Sequence, residues 1–198
     1  MKKNSHDRIL KMVGIGIFSA VVVVLQLLGS FIHLGPFSIS LVLIPIVVGS
    51  AVYGKGSGTW LGFLFGVAVL LSGDASAFLS VNFIGTIITV LLKGALAGLV
   101  VDAVYSLLSK VNKYLAVFTS AALCPIVNTG IFLIGCKVFF METITQWSAG
   151  SEYGADVVAY MFLGLAGGNF ICELAANILM SPVIVRIADI GLSKKKKA

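Results

Sequence analysis

Long apolar stretches punctuated by short clusters of Gly, Ser and charged residues set the pattern of this chain, and hydropathy marks out six of them. They cover residues 9–30, 40–53, 58–71, 83–105, 114–140 and 157–187. Four have the roughly 20 residues that a helix needs to cross a bilayer core of about 30 Å. The second and third hold only about 14 residues each, a reach of about 21 Å at about 1.5 Å per residue. These two meet at the turn Tyr53-Gly54-Lys55-Gly56-Ser57-Gly58. They are expected to pack inside the bundle, to tilt little, or to leave irregular backbone beside a cavity. The pattern predicts an all-α integral membrane protein with six transmembrane helices in one domain over residues 1–198, flanked by basic tails at 1–8 and 190–198.

Composition points the same way. The chain is 59% hydrophobic and 11% charged, whereas a soluble domain carries charge on about a quarter of its residues. A water-facing exterior cannot be covered with so few charges. Basic flanks are retained on the cytoplasmic side of a membrane, and here Lys2, Lys3, Arg8 and Lys11 open the chain while Lys194 to Lys197 close it. Both termini are therefore expected in the cytoplasm. On this topology Lys55, Lys110, Lys113 and Arg186 also fall inside, twelve of the fourteen Lys and Arg residues in all. Lys93 and Lys137 are left over, and the outer loops carry Asp74, Glu142, Glu152 and Asp156 without a base.

This distribution accounts for the net charge of +6 better than nucleic acid binding does, which calls for a basic face interleaved with aromatics. The first apolar run continues for about 20 residues with no small-residue cleavage site, so it reads as a helix rather than a signal peptide. Cys124, Cys136 and Cys172 lie apart in apolar stretches and read as small buried residues, not as a disulfide framework or metal site. No cofactor is expected. His6 and His33 are the only histidines, and no hydrolase motif accompanies them. Gly54-Lys55-Gly56-Ser57 lacks the spacing of a phosphate loop and reads as a cytoplasmic turn. An enzyme is not indicated.

A charge at mid-bilayer costs several kcal/mol unless it is paired or hydrated, which singles out Lys93 and Glu173. Counting down the helices from the outer face puts Lys93 roughly 15 Å deep, and Asn128 and Asn169 each roughly 18 Å. Asn169, Glu173 and Asn177 recur every four residues and form one polar stripe on the last helix. One reading is a pocket open to the outside, in which Lys93 answers a carboxylate on a ligand and the two amides orient it. The other is a structural Lys93–Glu173 ion pair with interhelical amide bonds. Asn177 is deep enough to be structural in either case. The loop 141–156, with Trp147 and Tyr153, reads equally as a lid or as an interfacial loop with aromatic anchors. Pro45 and Pro125 fall within spans two and five, where they free carbonyls and allow kinks.

Small residues recur at four-residue spacing at Gly16 and Ala20, at Gly58, Gly62 and Gly66, at Gly94 and Gly98, and at Gly164 and Gly168. Most are expected to serve internal packing. The pair on the first helix is the one assigned to an external partner.

The basic first helix, the segment Gly35-Pro36-Phe37-Ser38-Ile39-Ser40, the segment Leu92-Lys93-Gly94-Ala95-Leu96-Ala97-Gly98 and the segment Gly168-Asn169-Phe170-Ile171-Cys172-Glu173 together resemble the substrate-binding S component of energy-coupling factor (ECF) vitamin transporters. The resemblance covers nearly the whole chain. It implies capture of a water-soluble vitamin from outside a bacterial cell membrane, in a pocket between the outer halves of helices four to six. It also implies partnership with a membrane T protein and two cytoplasmic ATPases, and release of the vitamin when the S component reorients. Carried onto this sequence, the pocket residues are Lys93, Asn128, Asn169 and Glu173, with Ser38, Ser40 and Asn82 near the outer rim. Gly16 and Ala20 match the small-residue face that docks on the T protein. An internal lysine favours a carboxylate ligand, with pantothenate ahead of riboflavin, folate or a queuosine precursor. The competing readings are an ion-coupled secondary carrier of a small anion, with Lys93 and Glu173 as its relay, and a membrane scaffold without transport.

Overall fold

The computed structural model describes residues 5–30, 33–34, 37–38 and 41–197, with side chains at 8–30 and 41–190. Four of its helices are long and apolar enough to cross a membrane: α1 (Ser5–Gly29), α5 (Phe83–Leu108), α6 (Lys113–Phe139) and α9 (Gly167–Lys197). Two shorter apolar helices, α2 (Leu43–Tyr53) and α3 (Ser57–Ser72), stand between them in the chain. Between α1 and α2 a two-residue antiparallel pair joins β1 (His33–Leu34) to β2 (Phe37–Ser38). The remaining described elements are helical: α4 (Ser76–Val81), α7 (Met141–Ala149), α8 (Val157–Ala159) and a π turn over Tyr160–Leu165.

The brevity of α2 has a plain cause. Leu43, Ile46 and Val47 are fully buried, and Pro45, Val48, Gly49, Ser50 and Ala51 are buried with them. A helix apolar on every side belongs in an interior, and α2 packs against α1, α3, α5, α6 and α9. It need not reach both bilayer faces, because neighbouring helices surround it.

Helices α3 and α5 touch through backbone. A Cβ placed on Gly62 would stand 2.1 Å from the carbonyl oxygen of Gly94, and one on Gly98 would stand 2.0 Å from that of Gly58. The glycine pairs of these two helices thus serve internal packing, as their spacing predicts.

The turn between α2 and α3 hangs on Asp102 of α5, which is 5% exposed. Its carboxylate accepts hydrogen bonds from Ser50 Oγ (2.7 Å), the backbone N–H groups of Gly56 (3.0 Å), Gly58 (3.0 Å) and Thr59 (2.9 Å), and Thr59 Oγ1 (2.8 Å). An anion at the first turn of α3 satisfies amides that have no partner within the helix. Gly54 and Gly56 take φ of 78° and 86°, values glycine reaches without steric cost. At the same end an exposed ion pair, Lys113 Nζ to Asp189 Oδ1 at 2.9 Å, joins α6 to α9.

Two expectations need correction. Residues 157–187 are not one helix: α8 and the π turn lead to a break at Ala166, and the long helix starts at Gly167. Glycines at 164, 167 and 168 weaken helix propagation there, and π turns concentrate at functional sites. The segments expected as outer loops also hold more structure than that, since α4 and α7 are helical.

Candidate functional site

At the end of the bundle that carries α4 and α7, six helices, α4 among them, converge on a cavity of about 80 Å³. That is several times the roughly 10–15 Å³ one water requires, so the space accommodates a solute. Helix α1 contributes Gln26, α3 contributes Phe65 and Val69, and the α3–α4 connection contributes Asp74 and Ala75. From α5 come Thr86, Thr89, Val90 and Lys93, and from α6 come Asn128, Thr129 and Phe132. Leu165 and Ala166 of the irregular segment, with Asn169 and Glu173 of α9, complete the wall opposite α5.

Four of the residues singled out in the sequence, Lys93, Asn128, Asn169 and Glu173, therefore line one space. Lys93 Nζ stands 5.5 Å from the ring centroids of both Phe65 and Phe132. Aromatic faces attract a cation and hold the ammonium without a hydrogen bond. Glu173 is 6% exposed and Asn128 is 5% exposed. Asp74 and Glu173 are the two carboxylates that line the same cavity as Lys93. Three lining atoms, Thr89 Oγ1, Asn128 Oδ1 and Asn169 Oδ1, have no hydrogen-bond partner among the described residues. Buried polar atoms are normally paired, and these exceptions gather around one space, where a bound molecule or water can supply the partners.

Aromatic rings roof the cavity. Phe78 of α4 makes edge-to-face contacts with Phe140 (5.0 Å), Trp147 (5.4 Å) and Phe132 (5.7 Å). Ile144 of α7 is fully buried beside them in a cluster with Cys136, Met161 and Leu165. Ile144 and Trp147 of the 141–156 segment thus pack on Phe78 and Phe140, which line the cavity. Gln26 Nε2 donates to Asp74 Oδ2 at 2.5 Å and ties α1 to the α3–α4 connection at the rim.

Other singled-out residues lie elsewhere. Asn82 lines no part of the cavity; its Oδ1 caps α5 by accepting from Gly85 N at 2.9 Å, the ordinary use of Asn before a helix. Ser38 belongs to β2, where side chains are not described, and Ser40 lies outside the described residues. Asn177 is fully buried and donates to the Glu173 carbonyl at 2.9 Å, away from the cavity. Gly16 and Ala20 are both exposed on α1, and a Cβ on Gly16 would meet nothing within 4 Å.

Gln26, Asp74, Thr89 and the ring pair Phe65 and Phe132 escaped sequence reasoning. A single amide inside the run Val21 to Leu28 was a usable signal for Gln26. Phenylalanines in a greasy span carry none.

No curated protein and no solved structure matches the chain. The family model for the substrate-specific component of ECF transporters matches residues 10–188. Members of that family are transport proteins that bind small-molecule substrates and work with a T protein and ATPases. With the match spanning nearly its whole length, the chain belongs to the substrate-specific components of ECF transporters.

Proposed function

We propose that this protein captures a water-soluble vitamin at the outer face of a bacterial cytoplasmic membrane and delivers it inward by reorienting on a T protein driven by two ATPases. Both termini and the α2–α3 turn then face the cytoplasm, where Lys55, Lys110, Lys113 and Arg186 place their charge, and α2 and α3 count as spans two and three of six. The cavity faces outward beneath the aromatic cover. One observation carries the reading: in a bundle packed mainly with apolar side chains, Lys93, Asn128, Asn169 and Glu173 come from three helices to line the same cavity. Polar groups at membrane depth are functional by default because the surrounding lipid cannot hydrate them.

Lys93 favours a solute that carries a carboxylate, and pantothenate is the first candidate. The exposed pair Gly16 and Ala20 on α1 provides the small-residue face for docking on the T protein. Uptake by proteoliposomes tests the mechanism. Accumulation of labelled pantothenate that needs ATP together with added T and ATPase subunits supports it; accumulation driven by an ion gradient with this chain alone would replace it with a secondary carrier.

A further inference from the structure

Five asparagines stand among the residues with described side chains, and three of them spend those side chains on backbone. Asn82 Oδ1 accepts from Gly85 N at the start of α5, Asn112 Oδ1 accepts from Tyr114 N and Leu115 N at the start of α6, and Asn177 Nδ2 donates to the Glu173 carbonyl. These are the local uses to which asparagine is ordinarily put in helices. Asn128 lies in the middle of α6 and Asn169 in the first turn of α9. Both line the cavity, and their carbonyl oxygens are buried without a hydrogen-bond partner among the described residues. Each carboxamide therefore brings an acceptor and a pair of N–H donors to the same space.

The other neutral polar groups of the wall are less selective. Gln26 Nε2 is donated to Asp74, and the Thr86 hydroxyl to the Asn82 carbonyl. The hydroxyls of Thr89 and Thr129 give or accept as they rotate, so they suit almost any polar partner. A planar carboxamide is fixed in what it offers. The group that answers it in kind carries an N–H beside a C=O, and two carboxamides from different helices address both halves of such a group: one takes the N–H on its oxygen, and the other gives an N–H to the C=O. A carboxylate or an ester supplies acceptors alone, and burying an amide oxygen without a donor costs free energy.

We infer that Asn128 and Asn169 form an amide clamp, the pair that determines specificity for a solute with a peptide-type amide, a lactam or an imide. The inference rests on the solute capture proposed above and adds an amide to the carboxylate that Lys93 favours. Pantothenate, whose amide joins pantoate to β-alanine, belongs to this class. Its ester counterpart, with oxygen in place of that nitrogen, does not.

Calorimetry on the purified full-length protein compares these two compounds, since the ester keeps the carboxylate, both hydroxyls and the C=O and loses only the N–H. The amide is expected to bind at least about tenfold more tightly, because a site built to pair with an N–H rejects the analogue that lacks it. In the double variant Asn128→Leu with Asn169→Leu, which nearly keeps side-chain volume, that ratio is expected to fall to about threefold or less. A merely structural role for the two amides would weaken both compounds alike and leave the ratio standing. A ratio below about tenfold on the unaltered protein, or above about threefold in the double variant, overturns the inference and leaves solute capture intact, with hydroxyls or water pairing with the carboxamides. The comparison on the unaltered protein decides by itself if the variant fails to fold.

If neither compound binds, mass spectrometry of the small molecule released on denaturing the purified protein decides. A released solute with an N–H beside a C=O supports the inference, and one without that group overturns it. No binding and no released solute overturns the inference together with the capture function.

Discussion

Lys93 sits between two aromatic faces rather than in a cluster of hydrogen bonds, so replacing it removes the charge with little disturbance to the neighbouring packing. Lys93→Met is accordingly expected to express and fold, and to weaken binding of a carboxylate solute by more than about tenfold, the scale of one charge-assisted hydrogen bond. A titration of the purified variant measures this, and unchanged affinity would remove Lys93 from the site. Asp102 behaves in the opposite way. Its five donors are gathered from α2, the turn and α3, and Asp102→Ala strands the buried ones, Ser50 Oγ and the Gly58 N–H, in the interior. The expected loss is about 3–5 kcal/mol, visible as a lower melting temperature in detergent with the cavity chemistry untouched. A melting temperature equal to that of the unaltered protein would show that water or backbone rearrangement replaces the carboxylate. Residues of this kind were unequally legible in the sequence. Lys93 and Glu173 stood out because a charge in a greasy span demands a reason, and counting residues along the helices sufficed to bring Lys93, Asn128 and Asn169 to one level. Asp102 is just as buried, yet its place near the end of a span resembles an ordinary boundary charge, and its partners are backbone amides that no side-chain pattern reveals.

At the scale of elements, glycine divides into two kinds that the sequence writes identically. Gly16 opens onto empty space, whereas Gly94 has the carbonyl oxygen of Gly62 where its own Cβ would be. Gly94→Val is expected to push α3 from α5 and to lower the yield of folded protein, since overpacking a tight contact costs about 1–3 kcal/mol or more. Size-exclusion profiles of the detergent-solubilised variant report the outcome; a monodisperse peak at normal yield would mean the two helices separate at little cost. Element boundaries were read well where apolar length alone sets them. The fourth and fifth spans were expected at 83–105 and 114–140 and are observed at Phe83–Leu108 and Lys113–Phe139. The sixth was misread because hydropathy registers no difference between an α-helix and a π turn of equally apolar residues. The break at Ala166 is a matter of backbone hydrogen bonding, and its trace in the sequence is three glycines among twenty-two. Helix α7 was hidden for the opposite reason: nine residues with an intermediate polarity look like any loop until Ile144 and Trp147 find the rings beneath them.

For the molecule as a whole, the proposed docking face and the candidate solute cavity share one helix. Gly16 and Ala20 lie on the exposed side of α1, and Gln26, about 15 Å further along the same helix, points into the bundle and is 1% exposed. Separation of the two functions is therefore testable with one substitution. Gly16→Leu is expected to leave solute affinity unchanged and to abolish co-purification with the T subunit, because a bulky side chain holds two helices apart where small residues let them touch. Recovery of the intact complex would move the docking surface off this face. The all-helical, membrane-competent character was the most legible property at this scale, since apolar length needs no coordinates, while the enclosure of the cavity depended on connecting segments packing back on the bundle, which no residue pattern announced.

The glycine seam between α3 and α5 has a mechanical corollary. Where the carbonyl oxygen of one glycine rests against the Cα of another along successive turns, no cushion of rotamers exists to absorb sliding, and α2 is wedged alongside with hardly a free side. Such a plank resists hinging through its middle. In the proposed transport cycle such a plank moves as one body, so access switches by tipping it within the lipid and not by bending it.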